Sequence, residues 1–446
     1  MELSMSKSAR SFRWLLLISL FITQLDSGII STNLSSMTRD LALIPQQRGW
    51  IIAIYTIGLL LATPVMGSLI DRIGYRAVFL IELGLYFIGV IGIALSQSFM
   101  MLMVGRLLQA FGSSSLLTLV VSLVFATQAQ KVGNKVGSVG ALVALSTIVA
   151  PIISVISLVK THDWRAIYFI LAALIAVMFL LGFFLMPKDE KTTVESFDIK
   201  GNTIFVIGLV AFNLLLSRGV RTGNTIEIGV FVVIIALALF WFMKIEAKRE
   251  AQNQTVLFSK RLWQQPLYRT GLISGLVTGF VMSLFAFLPS FIEFSYQVDG
   301  RKAGSFMTLM AIGTLIGAKV AGMWTEKRGA MRATRGGMAL ISISLVLMFL
   351  TLSSFGLFLA SLFLFGLSIG MVMTVPLQVM VVEASPSDRN VSLSLLSISK
   401  KMGMVVGTTV ISLFAVMTHS IGLKPMLLVL IVCTVLSVVV LSKKER

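Results

Sequence analysis

Apolar runs of about twenty residues recur along nearly the whole chain, parted by short stretches that carry Lys, Arg, Pro and Gly. A hydrocarbon core about 30 Å thick is crossed by about 20 residues rising 1.5 Å each, so every such run is long enough to span a membrane as a helix. Only 13% of the 446 residues are charged, against 57% hydrophobic, and the mean hydropathy is +0.95. A water-soluble domain carries roughly a quarter of its residues charged. The solvent of this chain is therefore lipid, and the pattern predicts an all-α polytopic membrane protein.

Reading the runs between charges, Pro and Gly predicts 14 transmembrane helices. The first seven lie near 14–37, 49–70, 76–96, 98–127, 136–159, 165–186 and 202–217. The others lie near 226–246, 268–293, 303–324, 335–353, 355–382, 391–417 and 424–441. With the N-terminus inside, cytoplasmic segments hold 24 of the 37 Lys and Arg, and external loops hold 9. The positive-inside rule then puts both termini in the cytoplasm of a multi-pass cell (plasma) membrane protein. It also makes the net charge of +18 an orientation signal rather than a nucleic-acid surface. Trp14, Trp50, Trp164, Trp241 and Trp324 fall at or near predicted span ends, where an indole prefers the headgroup boundary. The first apolar run is too long for a removable signal peptide and lacks a small-residue cleavage site, so it is read as the first helix.

Several function classes drop out. The single cysteine, Cys433, allows neither an intrachain disulfide nor a cysteine-rich metal site. His162 and His419 sit near predicted helix ends and read as solvated loop residues. The chain holds no Gly-x-x-x-x-Gly-Lys-Ser/Thr phosphate loop, no soluble stretch long enough for a nucleotide-binding domain, and no convergent catalytic cluster. An enzyme is not expected, nor a cofactor or resident metal; the energy source is an ion gradient, with protons as the expected coupling ion.

The most informative pattern is Gly67-Ser-Leu-Ile-Asp71-Arg72-Ile-Gly74-Tyr-Arg76, between the second and third spans. A degenerate second copy, Gly322-Met-Trp-Thr-Glu326-Lys327-Arg-Gly329 with Arg332 beyond, closes the tenth. Internal repeats of this kind build secondary transporters as two similar bundles flanking a central path. The first copy matches every fixed position of Gly-x-x-x-Asp-Arg-x-Gly-x-Arg, and with it the chain resembles the major facilitator superfamily. Leu25-Asp26 with Ile29-Ile30, Gly105-Arg106-Leu-Leu-Gln109-Ala-Phe-Gly112, and Trp164-Arg165 carry the same resemblance. The antiporter signature of that family, Gly-Pro-x-x-Gly-Gly in span five, here reads Ala150-Pro151-Ile-Ile-Ser154-Val155.

The resemblance implies two pseudo-symmetric six-helix bundles, 1–190 and 268–446, with two extra helices and a linker inserted over 191–267. This looks like the fourteen-helix drug:proton antiporter branch. It also implies alternating access, in which small hydrophobic substrates, cationic or zwitterionic, leave in exchange for protons through a monomer embedded in the bilayer. The rival readings are a proton-coupled transporter of a single metabolite or lipid, and a non-transporting membrane sensor or scaffold.

Asp26 lies mid-span, where an acid costs about 2.5–3.5 kcal/mol on insertion scales and is rarely without partner or purpose. Ser19, Thr23 and Asn33 share its helix face, and Gln109 and Ser113 share that of Arg106. At 1.5 Å per residue Asp26 and Arg106 fall within about one turn in depth. Burial favours the neutral acid and a neighbouring guanidinium favours the carboxylate, so a small movement or entry of water can swing Asp26 between the two. That suits a proton carrier; the same pair also suits a static contact between two helices. In the family the matching acid is the protonation site and the matching arginine its partner.

Glu293 stands where the family commonly carries Gln and is a second candidate titrating group, or else an interfacial residue. Met282, Phe285, Phe287, Phe291 and Met307 offer an apolar cavity wall or simple packing. Lys400 matches a family arginine in span thirteen, with Lys401 beside it, and is a candidate for the inner gate. Glu82 is expected to snorkel or pair locally, and Lys319 to serve structure. In the loop pattern, Asp71 can accept from free N–H groups at a neighbouring helix start, Arg72 and Arg76 can hold acidic partners, and Gly67 and Gly74 permit close backbone approach. Pro151 softens span five, a feature suited to gating.

Overall fold

In lipid every backbone N–H and C=O must find its partner inside the protein, and long apolar runs meet that demand by coiling into helices. The computed structural model describes residues 7–43, 45–127, 132–186, 199–215, 223–252, 254, 256, 260–298, 306–386, 389–417 and 423–443. Within them the regular elements are helical. The first eight are α1 (Lys7–Gln24), α2 (Asp26–Asp40), α3 (Pro45–Ala94), α4 (Phe99–Phe111), α5 (Leu116–Thr127), α6 (Val132–Thr161), α7 (Arg165–Leu185) and α8 (Ile199–Leu214). There follow α9 (Thr225–Ala251), α10 (Lys260–Gln264), α11 (Pro266–Met282), a 3-10 turn (Ser283–Ala286), α12 (Leu288–Tyr296) and α13 (Met307–Arg328). The last are α14 (Ala330–Leu350), α15 (Phe355–Met373), α16 (Val375–Ala384), α17 (Arg389–Met417) and α18 (Leu423–Lys443).

Among the described residues, 11 helical stretches are long and apolar enough to cross a membrane. The chain is a multi-pass membrane protein. The difference from the expected fourteen falls at three places. The second and seventh expected spans correspond to shorter apolar stretches, Ile54–Gly67 and Thr203–Phe212. The thirteenth corresponds to α17, whose first half is diluted by Ser392, Ser394, Ser397, Ser399, Lys400 and Lys401. Large apolar side chains stand exposed on many helices, as they do when lipid is the neighbour. On α9, Ile226 is 76% and Phe240 61% exposed, while the buried residues are Ala238, Phe242 and Glu246.

The chain divides into two compact units. The first comprises Met1–Thr127, Ser146–Val206 and Lys248–Thr255; the second comprises Gln128–Leu145, Ile207–Ala247 and Val256–Arg446. The division passes through α6. In the first unit, the second half of α3 and α4 meet backbone to backbone, because Gly89, Gly105 and Gly112 leave no side chain between them. A Cβ on Gly105 would lie 2.9 Å from Ile93 N. Small residues at helix contacts are the usual route to close packing in membranes.

The two copies of the loop pattern share a backbone conformation. Within α3, Gly74 leaves the helix at φ 86° and ψ 172°, separating two helical segments. Between α13 and α14, Gly329 adopts φ 81° and ψ 160°. This region of φ/ψ space is essentially restricted to glycine. Other discontinuities fall at Leu25, between α1 and α2, at Gly112–Ser115, between α4 and α5, and at Thr374, between α15 and α16.

The end of α2 is tied to the start of α7. Arg165 Nη1 lies 2.7 Å from Asp40 Oδ2, Trp164 Nε1 donates to the same oxygen at 3.2 Å, and Arg165 Nη2 donates to Ser96 O at 2.8 Å. Partial burial pushes the Asp40 carboxyl up, but the hydrogen bonds from Arg165 and Trp164 and the Arg165 charge outweigh it, and the group is held below its ordinary value of 3.8. A depressed carboxyl stabilises the fold fully above that ordinary value and loses its effect as pH falls below it.

Two outcomes follow for thermal unfolding in detergent. Gly74→Ala and Gly329→Ala should each cost about 1–3 kcal/mol, because a Cβ is forced into a glycine-only region. Asp40→Asn should cost about 0.2–1 kcal/mol at neutral pH, since the pair is partly solvated, and the gap to the parent protein should close as the pH falls below the ordinary carboxyl value of 3.8 and through the depressed folded-state value.

Candidate functional site

The polar stripes of α2 and α4 face each other in the first unit. Asp26 opens α2, just after the interruption at Leu25, and Arg106 and Gln109 lie one turn apart on α4. Asp26 Oδ2 accepts from Arg106 Nη1 at 2.7 Å and Oδ1 accepts from Gln109 Nε2 at 2.8 Å. Arg106 Nη1 also reaches Gln109 Oε1 at 2.7 Å, and Nε donates to Ile51 O at 3.3 Å. The three side chains form a closed triangle with both acid and arginine 1% exposed. The guanidinium lies over the Tyr55 ring, 4.4 Å from its centroid, and Tyr55 Oη meets Ser113 Oγ at 2.9 Å. Charge-assisted bonds at this distance are strong, and together with the Ile51 carbonyl and the Tyr55 ring they offset the desolvation of the two charges.

Polar groups extend this site along α1 and α2. Thr23 Oγ1 donates to Ser19 O and Leu20 O, both at 3.0 Å. Asn33 Nδ2 donates to Ile29 O at 3.0 Å and to Ser154 Oγ on α6 at 2.6 Å. Ser19 Oγ, Asn33 Oδ1 and Tyr168 Oη are buried with no hydrogen-bond partner among the described residues. A buried polar group left so costs about 1–3 kcal/mol unless water or a solute meets it. Pro151 packs on the same helix: a Cβ on Gly28, two residues beyond Asp26, would lie 2.6 Å from Ala150 Cβ and 2.9 Å from Pro151 Cδ.

Glu82 does not snorkel; it pairs locally, fully buried at 0% exposure. Its Oε1 accepts from Ser115 N at 2.7 Å, Ser115 Oγ at 2.9 Å and Ser114 Oγ at 3.0 Å. The carboxylate thus caps the start of α5 where the fourth crossing is interrupted, meeting one of the free N–H groups of that helix end. The serine triplet after Gly112 was the available sequence signal for this break. Tyr55 and Ser154 had no such signal, because their partners come from other helices.

The remaining candidates sit elsewhere. Gly67 is buried and Arg72 exposed, while the Asp71 side chain lies outside the described residues. Arg76 donates through Nη2 to Phe183 O at 2.6 Å, a carbonyl in the last turn of α7, with its guanidinium 5.7 Å from the Phe183 ring. The acidic position of the second copy does what was expected of the first: Glu326 Oε1 accepts from Asn134 N, in the first turn of α6, at 2.7 Å. There Gly133 and Gly137 pack on Gly322, and Lys319 Nζ donates to Ser138 Oγ at 3.3 Å. His162 is exposed and His419 lies outside the described residues.

In the second unit Lys400 donates to Met373 O at 2.8 Å, at the end of α15 where the backbone turns at Thr374. Phe285 stacks edge-on against Phe365 at 5.9 Å, and Phe291 against Phe358 at 5.5 Å and Tyr296 at 6.0 Å. Phe291 is buried in this aromatic cluster, Met282 half-buried, and Glu293 exposed on α12. Among the described residues no group of three or more His, Cys, Asp or Glu is placed to hold a metal ion.

Comparison with known proteins places this geometry in a family. The profile of the Major Facilitator Superfamily matches residues 16–220, 201–408 and 270–443. The multidrug efflux pump SdrM of Staphylococcus aureus is 26% identical over 425 residues, covering 91% of this chain and 90% of its own. The riboflavin transporter RibZ of Clostridioides difficile is 25% identical over 414 residues, covering 90% and 88%. The crystal structure of the human organic anion transporter MFSD10 shares the fold, with a TM-score of 0.72 at 14% identity over 98% of this chain and 100% of that one.

The buried triangle predicts non-additive stability effects. Asp26→Ala should cost about 3–5 kcal/mol by leaving Arg106 charged and uncompensated, and Arg106→Gln a similar amount. The double variant should lose clearly less than the sum, as read from a double-mutant cycle on thermal unfolding.

Proposed function

Since the chain belongs to the major facilitator superfamily of secondary transporters, we propose that it is a proton-coupled antiporter exporting hydrophobic, cationic or zwitterionic drugs by alternating access. The observation that carries this reading is the closed Asp26–Arg106–Gln109 triangle, a single ionisable acid held by a permanent cation away from water. While ionised, Asp26 neutralises Arg106. Once protonated it leaves the guanidinium charge unbalanced, and that charge repels a cationic substrate. Proton and substrate thus compete through one carboxylate, which is what exchange requires.

In this reading Thr23, Asn33, Gln109 and Ser113 line the path beside Asp26, where unpartnered hydroxyl and amide groups favour a wetted or ligand-filled space. Met282, Phe285 and Phe291 give the apolar part, Glu293 a second titrating position, and Gly67, Asp71, Arg72, Gly74, Arg76, Pro151 and Lys400 the gate. This reading takes the two shorter apolar stretches and α17 as crossings beside the 11 long spans, for fourteen in all. The positive-inside bias sets both termini in the cytoplasm. The layout is a six-helix bundle at 1–190, an inserted pair at 191–267 and a second bundle at 268–446. Kinship with SdrM supports drug efflux as the activity. Expelling a monovalent cation for one proton moves no net charge, so the pH gradient alone drives it, at about 1.4 kcal/mol per pH unit.

Kinship with RibZ favours a second reading, transport of one metabolite. The two readings separate in liposomes carrying a lumenal pH dye: several unrelated lipophilic cations should each move protons, where a metabolite carrier would respond to one compound. Asp26→Asn should abolish substrate-driven proton movement, a loss of more than about tenfold, corresponding to over 1.4 kcal/mol of coupling. An undiminished exchange in that variant would remove Asp26 from the proton path.

A further inference from the structure

At one end of the second unit three helix ends come together: α13 finishes at Arg328, α14 begins at Ala330 and α18 runs out at Lys443. Between them lies a cavity of about 290 Å³, and three of its walls are Arg328, Arg332 and Arg335. Trp324 and Ser442 line it too, with Val438 and Ala339 on the side that continues into the apolar spans. No Asp or Glu lines it among the described residues.

The sequence prepares this site in two ways. Arg332 and Arg335 are three apart on α14 and so share a face, which Arg328 joins from the end of α13. Gly336, the next residue of α14, lets the Trp324 indole lie against the helix, since a Cβ there would sit 3.0 Å from the ring carbon Cζ3. The indole becomes a flat wall beside three guanidinium groups.

Position and chemistry narrow the occupant. The three helices are candidate spans, Met307–Arg328, Ala330–Leu350 and Leu423–Ser442, and all reach their polar limit here. That is the depth of lipid headgroups, where tryptophan collects and where basic pockets between spans take anionic heads. Guanidinium forks match phosphate oxygens in pairs, and a hydroxyl such as Ser442 adds a further donor. The cavity falls at the small end for a drug-sized ligand, and its charges repel a lipophilic cation, so it is not a second copy of the Asp26 site.

We propose that this cavity binds a phosphate-bearing anion, namely the headgroup of an anionic phospholipid whose chains run down the Val438 and Ala339 side. The site is independent of what the protein transports. Its occupant bridges α13, α14 and α18 and holds their ends together.

The test uses Trp324 as its own reporter. The full chain is placed in phosphatidylcholine vesicles containing either brominated phosphatidylglycerol or brominated phosphatidylcholine at the same mole fraction. The Trp324 signal is isolated by difference from Trp324→Phe. Phosphatidylglycerol should quench it several-fold more than phosphatidylcholine. The excess should vanish in Arg332→Gln/Arg335→Gln, and Arg332→Lys/Arg335→Lys, which keeps the charge and guards against a folding defect, should keep part of it. Equal quenching by both lipids in the parent chain, or an excess untouched by the Gln pair, overturns the proposal. A third arm adds inorganic phosphate against chloride at matched ionic strength. Quenching that persists in phosphate assigns the site to the lipid, whereas selective displacement by phosphate assigns it to the free ion and overturns the lipid.

Discussion

A helix that breaks in lipid exposes N–H and C=O groups that no water can meet, so each interruption has to be repaired by a side chain. This constraint accounts for three charged side chains placed at helix ends. Glu82 closes the start of α5 where the fourth crossing is interrupted, Lys400 closes the end of α15 at Thr374, and Glu326 closes the start of α6. The signs follow the helix dipole: both acids sit at N-terminal ends and the lysine at a C-terminal end. In these three cases, from the buried Glu82 to the half-buried Lys400 and the exposed Glu326, the charge is part of the backbone hydrogen-bonding scheme.

Asp26 and Arg106 are of a different kind. Asp26 accepts from two side chains and Arg106 donates to side chains and to one carbonyl outside its own helix, so the pair joins α2, α3 and α4 rather than mending one of them. A contact made of side chains can be opened by one protonation without unravelling a helix. A backbone cap cannot be given up so cheaply. This distinction is why the triangle, rather than Glu82 or Lys400, suits a coupling site, even though Glu82 is equally buried and Lys400 half-buried.

The two units repeat a backbone device and differ in what surrounds it. Gly74 and Gly329 share the same glycine-only conformation, each between two helical segments. Around it the first unit buries an acid–arginine pair with tyrosines and serines. The second packs aromatic rings together, Phe285 on Phe365 and Phe291 with Tyr296 and Phe358. A repeat that keeps its turns while its interiors diverge allows one unit to handle charge and the other to offer apolar surface.

Low charge and twenty-residue apolar runs were enough to determine an all-helical membrane protein, because continuously apolar runs of that length satisfy their backbone in lipid by coiling, whereas a barrel needs shorter, alternating strands. The loop pattern likewise revealed the repeat and its glycines, since a positive φ restricts the residue type directly. Helical periodicity put Asp26 and Arg106 on polar stripes at matching depth. What it could not supply was the partner set: Ile51 O, Tyr55 and Ser154 come from helices distant in sequence, and only the fold, by bringing Ser114 and Ser115 to Glu82, decides between snorkelling and pairing. The expected spans that do not reach spanning length or hydropathy, at Ile54–Gly67, Thr203–Phe212 and α17, are those diluted by short length or by serine and lysine. Sequence determined the solvent, the helices and the turns, which are local properties of the chain. Tertiary structure alone decided which buried charges mend a helix and which join helices together, because that depends on what packing places within about 3 Å of each charged atom.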